Sequence, residues 1–134
     1  MKYMLDTNIC IYAINKKPES YSKKLQQLDK NTIVISSIVL AELQYGISCS
    51  HHKEQNQINL NNFLSKLEVL DFSAKCASVY GDIKAELKRN GKLISDNDLL
   101  IASHAISEEA TLVTNNISEF NRIKDLTVEN WDKI

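Results

Sequence analysis

Apolar and polar positions change rhythm several times along the chain, and each change marks an element. "YML", Tyr3 to Leu5, is a short apolar run that stops at Asp6, which predicts a buried strand. "NICIYAI" then reads as a first helix with Asp6 or Thr7 as its cap, closed off by Pro18. Glu19 to Leu28 reads as a second helix, and β-branched "TIVIS", Thr32 to Ser36, as a second buried strand. "SSIVLAELQYG" follows as a helix stopped by Gly46. A more polar helix is predicted from His52 to Lys66, with Ile58, Leu60, Phe63 and Leu64 as its apolar contacts, and "LEVLDF" gives a third strand. In Ser73 to Asn90, Cys76, Tyr80, Ile83 and Leu87 recur at helical spacing, and Gly91 stands where a left-handed cap is wanted. "SDNDLLIASHAIS" is another helix, nearly all apolar after its first turn. "ATLVTNN" is a fourth strand, and Leu126 to Glu129 a short fifth.

Short apolar strands alternating with helices predict an α/β fold, a parallel sheet covered on both faces. In such folds the functional crevice lies beyond the carboxyl ends of the strands. Asp6 lies just past the first strand, and Thr114, Asn115 and Asn116 just past the fourth. Glu42 follows the second strand by about two helical turns, and Asp98 opens the helix that feeds the fourth. Four separate segments thus bring polar groups toward one edge.

Glu42 stands among Ile38, Val39, Leu40, Ala41 and Leu43. A buried, unpaired Glu protonates rather than staying charged, so Glu42 either reaches water or meets a cation. The other acids also have bland readings. Asp6 is a natural helix cap, and Ser95 to Asp98 matches the capping-box pattern. Asp96 suits the positive end of a helix dipole, and Asn116 and Glu119 suit a surface turn. Taken together the acids are more specific. Carboxylates converging within about 4–5 Å repel by several kcal/mol per pair, and a divalent cation relieves that repulsion. An all-oxygen donor set suits Mg²⁺ or Mn²⁺ rather than Zn²⁺, and metal-assisted phosphodiester hydrolysis is the matching chemistry.

Composition narrows the class. The 134 residues suit one domain with ordinary globular proportions, 43% hydrophobic and 25% charged. A net charge of −1 argues against a generally basic nucleic-acid coat, but leaves room for a local basic rim around an acidic centre. Lys84, Lys88, Arg89 and Lys92 form one candidate rim, and Lys16, Lys17, Lys23 and Lys24 another; a solvated helix face is the simpler reading of each. Three scattered cysteines, Cys10, Cys49 and Cys76, form no metal motif or disulfide framework and read as reduced thiols of a cytosolic protein. No apolar run has the length of a membrane span or the form of a secretion signal.

"YMLDTNICIY", "SSIVLAELQYG", "DNDLLIASHA" and "TLVTNNISEF" resemble, in order and spacing, the PIN-domain ribonucleases, and within them the VapC toxins of bacterial toxin–antitoxin pairs. The resemblance runs through residues 1–134 to the closing "LTVENW" and implies a single PIN domain. It implies an α/β/α sandwich with a central, mainly parallel sheet of about five strands, and a Mg²⁺- or Mn²⁺-dependent endoribonuclease. Matched position by position, it puts metal ligation on Asp6 and Asp98, with Glu42 as a further ligand or as the residue that orients the attacking water. Many relatives carry an acid where this chain has Asn116. Glu119 is then the residue to compensate, with Asn116 binding a metal-bound water or a substrate phosphate. The resemblance also implies homodimers, a cognate VapB antitoxin whose C-terminal segment covers the acidic groove, and RNA substrates, with the anticodon region of initiator tRNA cut by close relatives.

Two other readings stand beside it. A metal-free ribonuclease would use His51, His52 or His104, whereas a non-enzymatic module would keep the fold to bind RNA or a partner. A nucleotide-binding Rossmann enzyme is set aside, because Gly46, Gly81 and Gly91 are isolated and make no phosphate loop.

Overall fold

The computed structural model describes residues 1–131. Its centre is a sheet of five strands: β1 (Tyr3–Leu5), β2 (Ile33–Ser36), β3 (Glu68–Leu70), β4 (Thr111–Val113) and β5 (Val128–Glu129). Their order is β3-β2-β1-β4-β5, and every pairing is parallel. Met4 pairs with Val34 on one side and Leu112 on the other, which sets β1 in the middle. Because β1 and the strands beside it are covered on both faces, they are continuous apolar runs; Met4, Leu5, Val34, Ile35, Leu112 and Val113 are sealed from solvent.

Described helices are α1 (Thr7–Asn15), α2 (Glu19–Gln27), α3 (Ser37–Ser48), α4 (Lys53–Leu64), α5 (Ala74–Arg89), α6 (Asp96–Ser107) and the one-turn α7 (Ile117–Phe120). Helices α1 to α4 pack on one another, and α5 packs along α6. The right-handed crossover rule puts the two groups on opposite faces of the sheet, an α/β/α sandwich. The strand order reverses at β1, where the chain leaves toward β2 and later returns at β4. Such a switch point opens a crevice at the carboxyl edge.

Several elements differ from the sequence reading. Helix α3 passes through Gly46 and ends at Ser48, because Gly46 takes no positive φ and its neighbours supply the helical packing. Gly91 does sit at φ 66° after α5, as its place predicts. The first helix is ended by Lys16 in the left-handed region, φ 57°, whose N–H reaches the Tyr12 carbonyl, two residues before Pro18. A 3-10 turn, Lys30–Thr32, precedes β2, and α7 occupies what read as a surface turn.

Candidate active site

Asp6 is the residue at which β1 becomes α1. Its N–H still donates to the Val113 carbonyl of β4 at 2.9 Å, so the backbone is held by the sheet. Its side chain caps α1: Oδ1 accepts from the Thr7 N–H at 2.8 Å. Oδ2 accepts from the Thr114 hydroxyl at 2.8 Å, across the switch point. Asp6 is only 6% exposed. Burial raises its pKa above the usual carboxylate value; the two hydrogen bonds oppose that shift, and the charge of Glu42 adds to it.

Glu42 is half-buried on α3, and the Thr7 hydroxyl donates to its Oε1 at 2.8 Å. It therefore neither escapes to open water nor sinks into the core. It faces the carboxyl edge, at the border between an apolar groove of about 250 Å³ and a second cavity of about 490 Å³ lined by Thr7, Tyr45 and Asn97.

Asp98 lies in the first turn of α6, whose cap is Ser95: the Ser95 hydroxyl accepts from the Asp98 N–H at 3.3 Å. The pKa of Asp98 is pushed up to about 6, first by burial and then by a hydrogen bond to the Glu119 carboxyl, with the charges of Asp6 and Glu119 adding. The Ser95 side chain also hydrogen-bonds the Asp98 carboxyl, which lowers its pKa and partly opposes these shifts. Two carboxyls can share a hydrogen bond only if one keeps a proton. Glu119, on α7, also accepts from the Asn116 amide at 3.3 Å, and the Asn116 N–H donates to Thr114 Oγ1 at 3.0 Å.

The five residues singled out from sequence, Asp6, Glu42, Asp98, Asn116 and Glu119, are therefore brought to one edge and linked. Thr114, expected among the polar residues past the fourth strand, joins them, as does Thr7, which the sequence reading took only as a possible helix cap. The signal was present in "DTN" and "VTNN", where a hydroxyl stands one residue after or two before a site residue at a strand end. Asp96 turns outward to Lys84 at 3.1 Å, so that basic residue reaches the rim of the edge. The histidines do not assemble. His104 is buried against Ser36, whereas His51 and His52 are exposed beside the start of α4.

None of the ion pairs among the described residues involves Asp6, Glu42, Asp98 or Glu119. The positive charge that these acids lack among the described residues is what a divalent cation would supply. No three Asp, Glu, His or Cys side chains among the described residues are grouped tightly enough to hold an ion by themselves. That fits an ion bound through one or two carboxylates with waters completing its shell, the habit of Mg²⁺, and the donors here are all oxygens.

The PIN domain family matches residues 3–126. The chain belongs to it. Ribonuclease VapC2 of Rickettsia felis is 66% identical over 134 residues, covering 99% of this chain and all of the relative, which places the chain among the VapC proteins of that family. The tRNA(fMet)-specific endonuclease VapC of Shigella flexneri is 42% identical, covering 98% of each chain. Among solved structures, that of VapBC2 from Rickettsia felis bound to a DNA fragment from its promoter superposes with a TM-score of 0.93 at 65% identity, over 98% of this chain and 100% of that one. The PIN-like sheet and the VapC membership expected from the four motifs are both borne out.

Proposed function

We propose that the protein is a Mg²⁺- or Mn²⁺-dependent endoribonuclease, the toxin of a toxin–antitoxin pair, that cuts exposed single-stranded or loop RNA to leave 5′-phosphate and 3′-hydroxyl ends. The observation that carries this reading is the convergence of Asp6, Glu42, Asp98 and Glu119 on one edge, with no ion pair to any of them among the described residues. Asp6 and Asp98 would hold the ion, each by a carboxyl whose place is set by a helix start. Bound there, the metal would acidify a water and offset charge on the phosphate under attack. Glu42, held by the Thr7 hydroxyl, would orient the attacking water or add charge. Asn116 offers an amide to a phosphate oxygen, and Glu119 supplies the acid that its position lacks. Thr114 fixes the Asp6 rotamer. Purified protein should lose RNA cleavage in excess EDTA and regain it with Mn²⁺, and Asp6→Asn should lower the rate by about 100-fold or more. Cleavage that persists in EDTA, or in Asp6→Asn, would refute the proposal.

The anticodon region of initiator tRNA is the substrate we infer, supported by the relative of Shigella flexneri. Sequencing of 5′ ends after induced expression tests it. The partner we infer is a VapB-type antitoxin, acting on a homodimer of this chain in the cytosol. The apolar groove from Ile11 and Leu60 to Glu42 suits a segment with an apolar anchor followed by a basic side chain. A membrane role has no support, since no described helix is long and apolar enough to cross one.

A further inference from the structure

His104 lies on α6, six residues beyond Asp98 and sealed from solvent, with Nδ1 2.7 Å from the Ser36 hydroxyl. Ser36 ends β2, and its oxygen also accepts from the Ile38 N–H at 3.0 Å, capping α3. A single oxygen therefore joins the helix that bears Asp98 to the helix that bears Glu42. The imidazole stands edge-on to the Phe72 ring, centroids 5.6 Å apart, and its Nε2 has no hydrogen-bond partner among the described residues. An orphaned buried nitrogen opposes folding, and an apolar side chain would fill this space without one. Stability thus gives no reason for an imidazole here, whereas the bond to Ser36 does. Metal and substrate geometry tolerates displacements of only about 0.5 Å, so the spacing of α3 and α6 matters at this edge.

We propose that His104 is a positioning residue: through Ser36 it holds α6 against the start of α3, so that Asp98 and Glu42 face the same point. The proposal rests on the metal-site reading above, and its test separates the two. In His104→Gln the amide moves to the place of Nε2, out of reach of Ser36, whereas in His104→Asn it keeps the place of Nδ1. Three readouts are taken on the full chain: Mn²⁺ affinity by titration, the backbone amide NMR shifts of Thr7 and Glu42, and the midpoint of thermal unfolding. His104→Gln should weaken Mn²⁺ binding about tenfold and move both amide signals, and His104→Asn should restore most of the affinity and the native shifts. Equal loss in both variants, or native affinity and shifts in His104→Gln, overturns the proposal. Should His104→Gln fail to fold, Ser36→Ala takes its place, and native Mn²⁺ affinity there overturns the proposal equally. If Asp98→Asn binds Mn²⁺ as the native protein does, the metal reading falls, while the Thr7 and Glu42 shifts still decide whether His104 places α3.

Discussion

Asp96 and Asp98 stand two residues apart at the start of one helix, yet their surroundings differ in kind. The Asp96 side chain is 73% exposed and pairs with Lys84. Asp98 turns inward, meets the Glu119 carboxyl and is pushed up to about 6. The contrast extends over the molecule. Elsewhere on the surface Glu108 pairs with Lys2, Glu19 with Lys23 and Glu86 with Lys124. At the carboxyl edge of the sheet the acids are held by hydroxyls, amides and one another. Exposed pairs are screened by water and contribute little. The inner acids raise the energy of the chain, a cost that the cation proposed above would relieve.

Exchanging charge at each member of the pair breaks the comparison most strongly. Asp98→Asn should lower RNA cleavage by about 100-fold or more, whereas Asp96→Asn should leave it near the native rate; equal loss in both would remove the distinction between edge and rim.

A second difference lies in pH. Between the ordinary Asp value of 3.8 and about 6, native Asp98 keeps a proton that the unfolded chain has released. Stability without metal should therefore fall as pH rises through that window and level off above it, the reverse of a salt-bridged carboxylate. Urea unfolding in EDTA from pH 4 to pH 7 checks the sign. Because a metal competes with that proton, Mn²⁺ affinity should rise by up to about tenfold per pH unit below about 6 and flatten above it.

Smaller effects sharpen the picture. Thr7→Val keeps the shape of the side chain but frees Glu42, and should lower cleavage about tenfold, with thermal stability little changed. At the opposite, amino end of the sheet, Lys2→Met breaks the pair with Glu108 and should cost less than about 1 kcal/mol in chemical denaturation, with Mn²⁺ affinity unchanged.

Much of this was legible from pattern alone. The central strands are short apolar runs, and Asp6 marks the end of the first because its carboxyl caps the next helix. Ser73 and Ser95 announce their helices by cap chemistry. The local rule failed at Gly46, where packing on both sides of a long helix outweighs a weak preference. It also failed at the turn around Asn116, where Thr114 draws the chain into α7 by accepting its N–H. The odd carboxylate at 42 was visible as a misfit among apolar neighbours. Its partner, Thr7, was not, because the two are 35 residues apart and meet only when α1 and α3 pack.

The sequence by itself determined the alternation of strands and helices, the acids that end or open them and, through four motifs in register, the family. Periodicity and capping act over a few residues, so one chain read in order reveals them. Only the tertiary structure decided that burial beside Glu119 raises the Asp98 pKa, that Thr7 and Thr114 hold the acids, and that a buried His104 meets Ser36 at the start of another helix. Those outcomes depend on burial and on distances between segments far apart in the chain, which come into being when the sheet closes its switch point.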